Sequence, residues 1–139
     1  MRPIRHVVVL DAADVGVESA FWAGLLDGEA ITDDERFHCV VDGDGHWVIG
    51  VQHAPGHVPP DWPDGDEQQI HLDLHVIDLG PAHDQAVELG ARLLRPADDP
   101  DATHGYQVYA DQAGHPFCLG WGHPDDAALR QFLAERPDG

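Results

Sequence analysis

The stretch QQIHLDLHVID, residues Gln68–Asp78, alternates apolar and ionisable side chains from Ile70 to Val76. Read with a period of two, it gives one face of a strand to apolar side chains, namely Ile70, Leu72, Leu74 and Val76. The opposite face then carries three ionisable side chains: His71, Asp73 and His75. The stretch therefore predicts a strand with one face toward a core and one face suited to a metal or a small polar ligand.

The order of elements around this strand occurs twice along the chain. In the first half, residues 4–12 predict a strand, residues 17–28 predict a helix, and residues 36–53 predict a hairpin around the turn DGDG. That helix presents Val17, Ala20, Phe21 and Leu25 on one face. In the second half the matching segments are a strand at 70–78, a helix at 79–94, a short strand at 91–96 and a hairpin at 105–122. The repeat is one of pattern rather than of identical letters.

This repeat predicts an α+β fold built from two βαβββ modules that form a half-open curled sheet. We expect one domain over residues 1–139, with module one at 1–53, a linker at 54–69, module two at 70–122 and a C-terminal helix at 124–136. Each module alone has an apolar sheet face covered by a single helix. Pairing the modules extends the sheet and leaves a concave polar face between them.

The composition restricts the partners. The chain carries 26 acidic residues, seven arginines and no lysine, for a net charge of −19. Such a surface repels phosphate backbones, which argues against nucleic acid and leaves a small-molecule ligand. The acidic charge either keeps the protein solvated or attracts a cationic ligand. Hydrophobic residues make up 42% of the chain, which favours a packed core over disorder.

The same composition favours the cytoplasm. No apolar run approaches the roughly 20 residues that span a bilayer, so no membrane association is expected. The first 14 residues predict a strand rather than a signal peptide. The two cysteines, Cys39 and Cys118, do not form a disulfide framework.

Three stretches carry a family resemblance: DAADVGVESAFWAGLLDGE at 11–29, IHLDLHVIDLGPAHDQAVELGARLL at 70–94 and YADQAGHPFCLGW at 109–121. In the first, Asp14 stands seven residues before the pair Phe21-Trp22. Together they resemble the vicinal oxygen chelate superfamily, in its glyoxalase-like and bleomycin-resistance-like branch. The resemblance implies the glyoxalase/bleomycin resistance/dioxygenase fold. It does not imply one reaction, because this scaffold hosts many activities.

The resemblance also implies four metal-ligand positions, two in each module, which fall on Val7, Gln52, His71 and Cys118. Val7 cannot bind a metal, and alternation turns its neighbour His6 to the opposite face. The set departs from the His and Glu ligands usual in this superfamily, so Gln52 and His71 are the candidate metal ligands. Asp73 lies two residues from His71 and can reach a common ion. No cofactor is certain, and a divalent metal (Zn, Ni, Mn or Fe) stays open.

Alternation also predicts which residues face the groove. The candidate substrate-binding residues are His38, Gln52, His71, Asp73 and Cys118. The same face is predicted to hold Val7, Val9, Val40, Gly50, either Tyr106 or Gln107, and Gly120. The face toward the helices is predicted to hold Leu10, Phe37, Val41, Ile49, Leu72, Leu74, Phe117 and Leu119. Each of these residues also has a purely structural alternative. His71 and Asp73 can line a solvated groove, and Cys118 can be a packed side chain. Trp62 can either anchor the linker or act as a lid.

Three functions fit these residues. The first is a glyoxalase-like small-molecule-binding protein without an intact catalytic metal site, which we favour because the ligand set is eroded. The second is a metal-dependent lyase, isomerase or dioxygenase, so whether the protein is an enzyme stays open. The third is an antibiotic-sequestering resistance protein of the bleomycin-resistance type. A homodimer is predicted, because residues 117–122 and the side chains of Leu129 and Phe132 are available for association.

Overall fold

The computed structural model describes residues 1–136 of the chain. Its elements follow the order β1 (Val8–Ala12), α1 (Val15–Leu25), β2 (Glu29–Asp34), β3 (Phe37–Val41), β4 (Trp47–His53), β5 (Leu72–Val76), α2 (Leu79–Glu88), β6 (Arg92–Arg95), β7 (Gly105–Ala110), β8 (Pro116–Trp121) and α3 (Asp126–Glu135). Two successive βαβββ units followed by a helix confirm the predicted α+β fold. Within residues 1–136, no helix is long and apolar enough to cross a membrane.

The two modules form one four-stranded sheet each, with the same topology. The strand orders are β1-β4-β3-β2 and β5-β8-β7-β6. In each sheet the first strand of the module pairs in parallel with the last, and the other pairings are antiparallel. The edge strands β1 and β5 both line a cleft of about 200 Å³, so the sheets meet there without joining into one ladder. The curled sheet is therefore half open.

An aspartate begins each helix. The carboxylates of Asp14, Asp78 and Asp125 accept hydrogen bonds from the backbone N–H groups of Val17 (3.0 Å), Gly80 (3.2 Å) and Ala128 (2.8 Å). A side-chain acceptor at this position satisfies one of the free N–H groups of the first turn, and its negative charge suits the helix dipole. The excess of acids therefore has a local structural use at three positions.

An aromatic cluster joins the two modules into one core. Trp22 of α1 lies 5.2 Å from Phe117 of β8, measured between ring centroids, and Phe21 lies 5.9 Å from the same ring. Tyr109 of β7 stacks on Phe117 at 5.5 Å. Phe21, Trp22, Phe117 and Tyr109 are each no more than 2% exposed. Since α1 belongs to the first module and β8 to the second, the modules pair within one chain.

The predicted buried face of α1 is partly wrong. Phe21 and Leu25 are buried as expected, but Val17 is 47% exposed and Ala20 is also exposed. The buried face instead takes in Glu18 and other side chains, namely Val15, Ser19, Trp22 and Ala23. Burial of Glu18 is possible because polar partners meet it from the other module, a contact that helical periodicity cannot reveal.

The predicted faces of the first hairpin are also wrong for β3. His38 and Val40 are buried on the helix side, where His38 Nδ1 hydrogen-bonds to Ser19 Oγ of α1 at 2.8 Å. Phe37 lies on the open side, because Cys39 pairs with Gly50 and the Phe37 ring fills the space above that glycine. A Cβ on Gly50 would lie 2.4 Å from Phe37 Cζ. The pairing register therefore turns Phe37 and Val41 outward and His38 inward.

Candidate functional site

Strand β5 presents its polar side chains to an open cavity. His71, Asp73 and His75 line this cavity, whereas Leu72, Leu74 and Val76 pack against the hydrophobic core. The predicted alternation is confirmed for Leu72–Val76, whereas Ile70, predicted on the apolar face, precedes the strand and is 79% exposed. The physical reason for the alternation is that any one-residue shift would expose three apolar side chains to water.

The neighbouring strands complete the floor of the cavity. Asp73 pairs with Cys118 and His75 pairs with Gly120 across the β5–β8 ladder. Val108 pairs with Cys118 and Tyr106 with Gly120 across the β7–β8 ladder. Directly paired residues share a face, so these side chains converge from three strands. Tyr106 lines the cavity, whereas Gln107 is buried on the opposite face with its amide donating to Tyr109 Oη at 2.8 Å.

The cavity holds about 340 Å³, which is the size range of small-ligand sites. It is lined by Trp62, Gln68, His71, Asp73, His75, Arg95, Tyr106, Val108, Pro116, Cys118, Gly120 and His123. Polar groups stand on the strand floor and apolar or aromatic groups form the walls. This arrangement suits a small organic molecule with a few polar atoms.

His71, Asp73 and Cys118 form a tight cluster at one end of the cavity. His71 Nε2 lies 3.1 Å from Asp73 Oδ1, and one ligand atom of each of the three residues lies within 4.8 Å of the others. Burial raises the pKa of the Cys118 thiol to about 12, and the charge and hydrogen bonding of Asp73 add to the shift. The thiol is therefore protonated at neutral pH and is a poor nucleophile.

Arg95, His75 and His123 also line the cavity. The Arg95 guanidinium lies over the Trp62 ring, 5.5 Å from its centroid. The imidazoles of His75 and His123 stack at 4.4 Å above Gly120, where a Cβ would lie 3.0 Å from His123 Nε2. Glycine at position 120 thus leaves room for the two imidazoles.

The connecting segment between β4 and β5 reaches the cavity through Trp62. His57 Nε2 hydrogen-bonds to the carbonyl oxygen of Ala113 at 3.0 Å. Pro59 contacts Gly114 so closely that a Cβ added to Gly114 would lie 2.6 Å from Pro59 Cβ. These contacts fix the start of the segment to the β7–β8 turn. Trp62 follows and forms one wall of the cavity, a position that suits a cover over a bound molecule.

The other predicted site residues lie elsewhere. His38 is buried against α1, so the prediction that it faces the groove is wrong. Gln52 lies in β4 of the first sheet, paired with Asp11 of β1, and does not line the cavity that holds His71. The metal-ligand pair Gln52 and His71 stays a prediction, and the near neighbours of His71 are Asp73 and Cys118.

A second polar cluster lies buried where the modules meet. The indole N–H of Trp22 donates to Glu18 Oε1 at 3.1 Å and to Asp111 Oδ2 at 3.0 Å, and the Ala113 N–H donates to Glu18 Oε2 at 2.8 Å. Glu18 is 1% exposed and Asp111 5%. Burial raises the pKa of Glu18 from 4.5 to about 9, and the neighbouring Asp111 adds to the shift. Glu18 is therefore neutral at pH 7 and can donate a hydrogen bond to Asp111.

The sequence analysis missed Arg95 and His123, and it placed His75 on the polar face of its strand without choosing it as a site residue. Pairing between β6 and β7 shifts register between Leu93 and Arg95, so alternation along β6 cannot assign a face to Arg95. His123 follows β8 and reaches the cavity only because the chain turns at Gly122, whose φ is +73°. A glycine directly after the strand is the one signal that pointed to this turn.

The fold and this site define a glyoxalase-like protein of the vicinal oxygen chelate class. A model of the family described as "Glyoxalase-like domain" matches residues 7–120, and the chain belongs to that family. The resemblance inferred from the sequence is thereby confirmed.

Solved structures with this fold come from several bacteria. The fosfomycin resistance protein FosX from Mesorhizobium loti is 16% identical, with a TM-score of 0.65 over 96% of this chain and 99% of that chain. FosX from Listeria monocytogenes, complexed with Mn(II) and sulfate, is 16% identical, with a TM-score of 0.65 over 95% of this chain and 99% of that chain. A glyoxalase/bleomycin resistance/dioxygenase family enzyme from Burkholderia phytofirmans PsJN is 15% identical, with a TM-score of 0.62 over 84% of this chain and 97% of that chain. At these identities the likeness concerns the fold alone.

A curated relative is a much larger protein. A non-reducing polyketide synthase from Aspergillus terreus is 28% identical in an alignment 137 residues long that covers 93% of this chain. This chain spans only 5% of the length of that synthase. The match therefore concerns one small part of it.

Proposed function

We propose that this protein binds a small organic molecule in the cavity on the open face of the second sheet, without needing a metal. The observation that carries the proposal is the convergence of His71, Asp73 and Tyr106 from two different strands on one cavity of about 340 Å³. Rigid strands hold the polar groups in place, and the aromatic walls supply apolar contact area. His71 orients a carbonyl, hydroxyl or carboxylate of the ligand.

A protein that binds a small molecule without converting it can act by sequestering an antibiotic. Two of the similar structures are fosfomycin resistance proteins, which supports this form only through the shared fold. The proposal for this chain therefore names the cavity and its contacts rather than a drug.

A His71→Ala substitution is expected to weaken binding about tenfold, because one hydrogen bond to the ligand is lost. The side chain of His71 is 50% exposed, so the free energy of unfolding should change by less than about 1 kcal/mol. Fragments that raise the melting temperature of the wild-type protein serve as ligands, and calorimetry gives their affinities for each variant. His53→Ala, an exposed histidine outside the cavity, is the matched control. Equal affinities for wild type and His71→Ala would argue against the proposal.

A metal-dependent enzyme is the second candidate, because His71, Asp73 and Cys118 can meet at one ion. Imidazole, carboxylate and thiolate are all zinc ligands, and three protein ligands with an open fourth position are typical of catalytic zinc. The buried thiol is a poor ligand for Mn²⁺ or Mg²⁺, which prefer oxygen. Bound zinc would supply Lewis-acid polarisation of a substrate oxygen, while Asp73 and His71 would fix its orientation.

Zinc titration separates the two candidates. The metal-free proposal predicts that added Zn²⁺ changes the melting temperature of wild type and Cys118→Ser equally, because in that proposal Cys118 does not bind zinc. Cys39→Ser controls for the other cysteine, which lies in the first sheet. A stabilisation by zinc that disappears only in Cys118→Ser would favour the enzyme.

A homodimer is also part of the proposal. The exposed apolar side chains of α3 support it, since Leu129, Phe132 and Leu133 are 46%, 62% and 61% exposed. Apolar side chains grouped on one helix are typical of association surfaces.

A further inference from the structure

The charges that line the cavity are not equivalent. Among residues 1–136, Asp73 is the only acid that lines it, and the ring of His71 and the thiol of Cys118 already lie against that carboxylate. Arg95 is the only permanently charged cation that these described residues contribute to it. Within residues 1–136, no carboxylate lies within 4.0 Å of Arg95. The acid of the cavity therefore has partners within the protein, whereas the arginine is available to a ligand.

The Arg95 guanidinium is positioned for an anion. Its Cζ atom lies over the Trp62 ring, 5.5 Å from the centroid, which is within the range of a cation–π contact. Such a contact does not use up the N–H donors of the guanidinium. Arg95 pairs with Val108 across the β6–β7 ladder, so it shares the face that carries Val108 and Cys118. A planar guanidinium held in this way binds a carboxylate through two parallel hydrogen bonds.

The walls next to Arg95 favour a flat apolar body. Trp62 and Tyr106 contribute aromatic surfaces, and Pro116 and Val108 contribute aliphatic ones. Aromatic rings stack on such surfaces with a favourable energy beyond that of simple burial. An aromatic ring that carries one acidic group can contact both the guanidinium and the apolar walls of the cavity.

The net charge of −19 does not prevent an acidic ligand from binding in the cavity. Fields from exposed charges are screened over about 8 Å at physiological salt, so contacts inside the cavity decide the binding. A cationic ligand would find acids all over the surface but would meet the unpaired guanidinium inside the cavity. The guanidinium therefore repels a cationic group at its own position in the cavity.

We infer that the ligand is a flat, apolar organic acid whose carboxylate binds Arg95 beneath Trp62. This inference rests on the proposed function and names the class of ligand for the same cavity. Arg95 is then the residue that determines specificity, and His71 contacts a second polar group of the ligand.

Three matched probes test the inference by calorimetry: 2-naphthoate, neutral 2-naphthalenemethanol and cationic 2-naphthylmethylamine. Wild type is expected to bind the acid at least about tenfold more tightly than the amine, since a charge-assisted bidentate contact contributes more than one ordinary hydrogen bond. Arg95→Gln should lose about tenfold in affinity for the acid and keep its affinity for the alcohol. Arg92→Gln, an arginine on the same strand outside the cavity, should behave like wild type.

The outcomes distinguish the inference from the proposed function. Equal affinities of wild type and Arg95→Gln for 2-naphthoate, or tighter binding of the amine than of the acid by wild type, would overturn the inference. The proposed function would survive either result as long as the alcohol binds. A failure of all three probes to bind at millimolar concentration would contradict both.

Discussion

A Glu18→Gln variant is expected to lose the fall in stability that Glu18 causes in the wild-type protein between pH 4.5 and about 9. Burial raises the pKa of Glu18 because water is removed from its carboxyl group, and Asp111 raises it further through a hydrogen bond and its negative charge. The glutamine amide is nearly isosteric with the protonated carboxyl and can donate to Asp111 in the same way. It carries no proton that titrates in this range.

The direction of the effect follows from proton binding. Above pH 4.5 the unfolded chain releases the Glu18 proton, whereas the folded protein holds it up to about pH 9. The contribution of Glu18 to the free energy of unfolding is therefore fully present below pH 4.5 and is lost as pH rises toward about 9, by up to about 1 kcal/mol per pH unit. Urea unfolding over this range measures the slope. Glu29→Gln, an exposed acid on β2, should keep the wild-type slope, and a wild-type slope in Glu18→Gln would show that Glu18 is ionised when folded.

A Gly28→Ala variant is expected to lose about 3 kcal/mol or more of stability, because a side chain there collides with rigid backbone. A Cβ on Gly28 would lie 1.8 Å from the carbonyl oxygen of Val41 and 2.8 Å from its carbonyl carbon. Neither group can rotate away without breaking the pairing of β2 with β3, which matches Glu29 to Val41.

Gly56→Ala is the matched control for this substitution. A Cβ on Gly56 would meet nothing within 4 Å, so its free energy of unfolding should stay within about 0.5 kcal/mol of wild type. Denaturant unfolding compares the two variants directly. A Gly28→Ala protein as stable as the Gly56→Ala protein would mean that β2 does not approach the end of β3 as described.

The sequence predicted the fold because its local signals agree with one another. The alternation in Leu72–Val76 and the strand–helix–hairpin order of each half depend on residues that are close together in the chain. The same signals turned His71 and Asp73 toward the cavity. Local signals suffice wherever the register of a strand is set by its own apolar side chains.

The faces of β3 and the position of Arg95 depend on distant contacts. The ring of Phe37 fills the space over Gly50, and the register shift beside Val41 offsets the β3–β4 pairing, so alternation counted along one strand put His38 on the wrong side. A comparable shift precedes Arg95. Register shifts leave no reliable mark in the sequence, because they arise from the packing of one strand against another.

The contact between Glu18 and Asp111 joins residues from the two modules. Asp111 accepts hydrogen bonds from the N–H groups of Ala113 and His115, so its neighbours in the sequence indicate only a role in the turn. Its second role, as a buried acceptor for Trp22, exists only after the modules pair. No pattern within either module could have predicted it.

An NMR titration of the isotope-labelled protein with 2-naphthalenemethanol tests ligand binding in the cavity on the second sheet most directly. This probe is neutral, so its binding does not depend on Arg95. Binding in the cavity on the second sheet predicts shifts of the backbone amides of Tyr106 and Cys118 and of the indole N–H of Trp62. The amides of Ile31 and Gln52, in the first sheet and outside this cavity, should not move. Shifts confined to the first sheet, with the Trp62 indole unchanged, would contradict ligand binding in this cavity.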